Sequence, residues 1–269
     1  MNFRNVLALL SKPKGGQFLD LVVGSEVVTH VTPLGNWLTP GVTKAGRISF
    51  SGVFRGRRVK VYSAYSAEQV KLRVFLDSLP FSGFSFPAVL AYDDRLIVEE
   101  WIEGREMKAT AGFEGQASAI IDELHAATSL IYPGWLEDSP FCYFQDYLVP
   151  RLDRWLCVRP VADLLNDWKD ASTRLGAAIE PRLCHPDLTF RNMIECPDTG
   201  RPVIVDNELL GVSRGWVLDW HNAGMPDAGL GRFSCKEELL SFAQLSWKLR
   251  RLGSLLDACD YRSVRTLLS

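Results

Sequence analysis

The chain has 269 residues, 47% of them hydrophobic, with 30 basic and 32 acidic side chains and a net charge of −2. That is enough apolar material for a sizeable core, in one large domain or two lobes, and the spread of charge has no long basic run or acidic tail to mark a nucleic-acid partner. The six cysteines form no CxxC pair and no zinc-spaced Cys/His cluster, so they read as reduced thiols. The one short apolar stretch near the start, Val6 to Leu10, falls far below the ~20 residues that span a bilayer. The expectation is a soluble, cytoplasmic protein.

Ile48–Phe54, Arg58–Tyr62 and Leu96–Trp101 read as short strands rich in β-formers. Between the last two, Ser66–Leu79 predicts a helix that Ser66 can cap, with Val70, Val74, Phe75 and Leu79 on one face and Pro80 at its end. From about residue 110 the pattern turns to long amphipathic helices: Gly112–Ile131, Tyr143–Val158 with Pro150 as a kink or break, and Val161–Ile179. A β-rich island, Arg182–Leu210, interrupts them. It carries a hairpin signal, with Met193–Cys196 and Val203–Asp206 flanking a Pro/Asp/Gly turn. Helices return from Lys236 to Leu256 and beyond.

The chemistry concentrates in the island, in His185-Pro-Asp187-Leu-Thr-Phe-Arg191-Asn192 and then Val203-Ile-Val-Asp206-Asn207-Glu208. Phosphoryl transfer asks little covalent help of a protein. It needs an acceptor hydroxyl held in line, a carboxylate to take its proton, and metal and cations to neutralise phosphate charge. A carboxylate followed five residues later by Asn can place a base and a metal ligand on one loop. A second carboxylate at the end of a buried strand can hold the metal from the other side, and Mg²⁺ accepts a few such oxygens beside water and phosphate. The hairpin would return the chain so that Asp187, Asn192 and Asp206 converge.

This segment resembles the catalytic and metal-binding motifs of the aminoglycoside phosphotransferase and choline kinase group of the kinase-like superfamily, and is similar to lipopolysaccharide-core sugar kinases. The resemblance implies Asp187 as catalytic base, Asn192 and Asp206 as Mg²⁺ ligands, His185 as a structural brace and Arg191 near the transferred phosphate. It implies Asp219, in Val217-Leu-Asp219-Trp220, as a second brace that caps the catalytic-loop backbone; a plain helix cap is the alternative. Glu208, Trp216, His221 and Asp227 border the region and could line an acceptor pocket. Pro186 stands where small-molecule kinases usually carry Gly, and Asn207-Glu208 replaces the Phe-Gly of protein kinases. Leu124-His125 resembles a helix signature whose His packs near the catalytic loop.

Arg58-Val-Lys60-Val-Tyr62 resembles the kinase strand that offers a lysine to the α and β phosphates. Glu68, the only Glu of the following helix, is the expected partner of Lys60, with Asp77 as the alternative. Leu96-Ile-Val-Glu99-Glu100-Trp101-Ile102-Glu-Gly104 is similar to the family's "VMEYIEG" hinge, which implies that backbone groups around Glu100, Trp101 and Ile102 bind adenine. The phosphate loop would fall at Gly41–Gly46. This is not GxGxxG, but Thr43, Lys44 and its amides could still contact phosphate.

The expected fold is therefore α+β, a two-lobed protein-kinase-like fold with a small β-rich N-lobe (residues 1–104, nucleotide-binding) and a large helical C-lobe (residues 105–269, catalytic loop, metal site and acceptor binding). The implied activity is ATP- and Mg²⁺-dependent phosphorylation of a hydroxyl on a small molecule or glycan of sugar, aminoglycoside or amino-alcohol type. A lipopolysaccharide or protein kinase-like enzyme and a pseudokinase binding module are the alternatives. No DFG or APE motif follows the catalytic loop, which disfavours protein kinase activity.

Overall fold

A computed structural model of the chain describes residues 19–34, 49–107, 111–137, 141–175, 179–196, 200–225 and 229–268. Contacts divide the polypeptide into one unit of Met1–Asp77 with Pro87–Trp101 and another of Ser78–Phe86 with Ile102–Ser269.

The first unit is an antiparallel sheet of β1 (Leu19–Val23), β2 (Glu26–Pro33), β3 (Ser49–Phe54), β4 (Arg57–Ser63), β5 (Val89–Tyr92) and β6 (Leu96–Glu100), in the order β1-β2-β3-β4-β6-β5. The β3–β4 turn is Arg55-Gly56, both at positive φ (49° and 76°), the geometry whose twist matches a two-residue hairpin. Alternation along β4 splits the sheet into two faces. Val59 and Val61 are fully buried against Phe50, Val28 and Val98. Tyr62 packs on the other face with Ile97 and with Val70 of helix α1 (Ala67–Asp77). Ser66 starts α1 as expected, its Oγ accepting from the Gln69 amide at 3.1 Å. The first hairpin, β1–β2, was not among the strands expected from the sequence.

A charged group is locked into this second face. Arg73 of α1 donates from Nε to Glu99 Oε1 at 2.7 Å and from Nη2 to the Pro87 carbonyl at 2.5 Å, and Tyr62 donates to the same Glu99 oxygen at 2.8 Å. The Arg73 and Glu99 side chains are 2% and 1% exposed.

The second unit contains a short β7 (Arg105–Glu106), α2 (Ala111–Ala127), α3 (Pro133–Glu137), a π-helical turn Tyr143–Leu148, α4 (Val149–Asp153) and α5 (Arg159–Leu175). After them come β8 (Arg182–Cys184), β9 (Met193–Glu195), β10 (Pro202–Ile204), β11 (Gly211–Ser213), α6 (Val217–Asn222), α7 (Lys236–Asp257) and α8 (Tyr261–Leu268). Pro150 is the second residue of α4, at the point where the π-helical turn passes without a gap into the α-helix, so the break expected there is a change of helical pitch. Trp168 of α5 stacks on Phe242 of α7 at 5.8 Å and meets Phe144 at 5.0 Å, and its indole N–H donates to Ser246 Oγ at 2.9 Å. Three elements far apart in sequence are thereby held in one core. β9 pairs with both β10 and β7, and β8 pairs with β11. Ser85 bridges to Val203 beside β10, so the segment after α1 belongs to this second unit.

Candidate active site

The island's strands are three residues long, so its loops are the short spans between closely spaced ladders. β8 ends at Cys184 and delivers His185 directly into the loop. His185 is fully buried. Its amide donates to Asp219 Oδ2 at 3.3 Å, and its Nε2 donates to the Val205 carbonyl at 3.2 Å. Burial, outweighing the nearby carboxylates Asp187 and Asp206, lowers its pKa, which keeps the ring neutral with the Nε2–H tautomer that this bond requires. The Leu188 amide closes the loop onto the His185 carbonyl at 2.7 Å.

Hydrogen bonds tie Asn192 to the Asp187 backbone on one side and to Val205, the neighbour of Asp206, on the other. Asn192 lies in a 3₁₀ turn (Phe190–Asn192), and its Nδ2 donates to the Asp187 carbonyl at 2.8 Å. The Asn192 carbonyl accepts from the Val205 amide at 2.9 Å, one residue before Asp206. With its Nδ2 committed to that bond, the amide oxygen is the acceptor atom the Asn192 side chain has left to offer. Asp206 is exposed and sits at φ 61°, ψ 46°, a left-handed conformation that Asp tolerates better than most residues and that is enriched at functional sites. Two oxygen donors on adjoining backbones suit a hard divalent cation that keeps water and phosphate as its other ligands. Among the described residues, no three His, Cys, Asp or Glu side chains gather as a metal cluster.

Asp219, at the start of α6, is fully buried, and desolvation pushes its carboxyl well above the usual range, opposed only by the His185 amide. His125 of α2 approaches to 3.6 Å, but burial, then the charges of Arg182 and Arg232, depress His125 to about 3. The approach is therefore not an ion pair at neutral pH. His125 is packed edge-on to Trp216 and Trp220, at 5.4 and 6.2 Å.

Sequence reasoning missed one residue that touches this loop. Arg250 of α7 donates from Nη2 to Asp187 Oδ1 and from Nη1 to Asn222 Oδ1 at 3.2 Å, and Asn222 in turn donates to the Pro186 carbonyl at 2.6 Å. No spacing rule links position 250 to a loop 63 residues earlier in the chain, and the only local signal was an arginine pair within an amphipathic helix.

Arg191 is exposed, its guanidinium 5.7 Å from the Phe190 ring centre. Of the residues assigned to nucleotide, Lys60 is on β4, paired across the sheet with Ser51 and Glu99, with its Nζ 5.5 Å from the Tyr62 ring centre. Glu68 bonds Lys71 at 2.6 Å on the exposed side of α1. The amide of Glu100 donates to Ala88 O at 2.9 Å and that of Trp101 to Arg58 O at 3.3 Å, so both are used inside the sheet. Arg58 lies 3.6 Å from the Trp101 ring centre. Ile102 begins the longer segment of the second unit. Lys44, the Gly41–Gly46 loop and Asp227 lie outside the described residues.

No protein-family model and no curated protein matches the chain. Among solved structures, the apo form of a thermostable mutant of aminoglycoside phosphotransferase APH(4)-Ia is similar with a TM-score of 0.52 and 14% identity, over 90% of this chain and 92% of that one. APH(4)-Ia itself gives 0.52 and 13%, over 99% and 95%. A ternary complex of an APH(4)-Ia mutant with AMP-PNP and hygromycin B gives 0.51 and 14%, over 97% and 94%. The chain thus has the two-lobed α+β kinase-like fold of the aminoglycoside phosphotransferases.

Proposed function

We propose that this protein transfers the γ-phosphoryl group of ATP, with Mg²⁺, to a hydroxyl of a small molecule or glycan. The observation that carries the reading is the hydrogen-bonded loop in which Asn192 ties the Asp187 backbone to Val205, the residue before Asp206, with His185 bonded to both Val205 and Asp219. Asp187 accepts the acceptor's hydroxyl proton as the new P–O bond forms and the bond to the ADP leaving oxygen breaks. Asn192 and Asp206 would hold Mg²⁺, whose chemistry there is the neutralisation of phosphate charge. Lys60, Arg191 and Lys44 add positive charge toward the phosphates, with Glu68 assigned as the partner of Lys60. The engagement of the Glu100 and Trp101 amides leaves adenine recognition to the Ile102 amide and the carbonyls of this stretch. Support for a nucleotide comes from the related fold, since one APH(4)-Ia structure is a complex with AMP-PNP and hygromycin B.

The test is ADP release with Mg²⁺ against a library of hydroxylated metabolites, including aminoglycosides, choline, thiamine and core sugars. Asp187→Asn is expected to abolish turnover while ATP affinity stays within a few fold. An unchanged rate in that variant removes Asp187 as base.

A further inference from the structure

We infer that Arg250 marks an anion-accepting subsite beside Asp187, and that the acceptor is a hydroxyl compound carrying a carboxylate or phosphate rather than a polycation of the aminoglycoside type. The inference rests on the reading of Asp187 as the base. A hydroxyl that gives its proton to Asp187 must come within about 3 Å of that carboxylate. Arg250 is bonded to Oδ1 of the same carboxylate, so a substituent on that side of the reacting hydroxyl meets its guanidinium. An ammonium group there meets a like charge, whereas a carboxylate or phosphate meets a planar fork of donors shaped for it. The bonds to Asp187 and Asn222 occupy two of an arginine's five N–H donors. Because Asn222 is itself tied to the Pro186 carbonyl, the fork is fixed to the catalytic loop before any ligand arrives.

The surroundings lean the same way. Beside Arg250, Arg151 donates to Asp257 at 2.8 Å and to Tyr147 Oη at 2.9 Å, and Arg154 also bonds Asp257. The Tyr143 hydroxyl, fully buried, has no hydrogen-bond partner among the described residues and is close enough to feel the charges of both Arg250 and Asp187. It is a polar group held out of water at this spot, a kind that normally finds a partner. Trp247, one turn before Arg250, meets His221 at 5.2 Å, and desolvation and then Arg250 lower the His221 pKa and keep that ring uncharged.

The alternative is that Arg250 only orients Asp187, and the experiment separates the two. With the full chain saturated in Mg²⁺ and a non-hydrolysable ATP analogue, so that nucleotide phosphate positions are filled, binding of gluconate and glucose 6-phosphate is compared with that of methyl glucoside and kanamycin by calorimetry. The expected result is at least about tenfold tighter binding of an anionic probe than of either other class. Arg250→Gln is expected to bring that preference below about twofold, and Arg250→Lys, which keeps the charge and the fold, to retain part of it. Equal or tighter binding of methyl glucoside or kanamycin overturns the inference. So does failure of both anionic probes to bind, or an undiminished preference in Arg250→Gln with melting temperature near the parent's. Failure of the parent to bind the analogue instead overturns the nucleotide reading, an outcome visible before any acceptor is added.

Discussion

Arg73 offers the sharpest test of how the first unit is held together. Replacing it with Met keeps most of the apolar stem but removes the guanidinium bonded to Glu99, 1% exposed. Breaking one side of a buried ion pair costs about 3–5 kcal/mol, because a desolvated charge is left behind. The Tyr62 bond to Glu99 survives and returns about 1 kcal/mol of that, while the bond to the Pro87 carbonyl is lost as well. Arg73→Met is therefore expected to cost about 3 kcal/mol. Arg73→Met with Glu99→Gln removes both charges and leaves Tyr62 an amide oxygen to bond, so it is expected to recover most of that loss. Hydrogen exchange of the β4 and β6 amides reads the sheet unit separately from the rest of the chain, and a double-mutant cycle isolates the coupling. A single-variant cost under about 1 kcal/mol, or a double variant that merely sums the two losses, refutes the account of a desolvated charge.

His125 supplies a pH dependence. Its folded pKa of about 3 lies below the ordinary value of 6.5, so from pH 6.5 downward the unfolded chain takes up a proton that the folded chain refuses. Stability is full above that range and falls with acid by about 1.4 kcal/mol per pH unit; urea titrations of His125→Phe should show a slope shallower by that amount, and an unchanged slope refutes the burial argument. For Asp219, whose carboxyl burial already drives toward the neutral form, Asn preserves an oxygen for the His185 amide. Asp219→Asn is expected to lie within about 1 kcal/mol of the parent in thermal unfolding and to retain ADP release, whereas Asp219→Leu strands that amide at a cost of about 1–3 kcal/mol. Equal damage from both substitutions would show that the ionised carboxylate is required.

The catalytic-loop motif was legible because its elements are local. The loop spans Asp187 to Asn192, and a hairpin between Asn192 and Asp206 brings the chain back within 14 residues, where a turn signal and a strand are both visible in composition. Ser66 as helix start was legible for the same reason, since capping acts over three or four residues. Strands β1 and β2 went unread because Leu19–Pro33 mixes buried and exposed positions with bulges in its pairing, which blurs the period-two pattern.

From the order of its residues alone, then, this protein declares a β-rich first part, a helical second part and a loop that carries Asp187 and Asn192 ahead of a hairpin to Asp206. Only the tertiary structure decides what stands next to that loop. Arg250 reaches Asp187 because the Phe144–Trp168–Phe242 core packs α7 beside α5. Arg73 finds Glu99 because α1 lies across the β4–β6 pair. Side chains that must give up water find partners wherever packing brings them, and that choice, unlike a cap or a turn, is made over distances in sequence that no local pattern records.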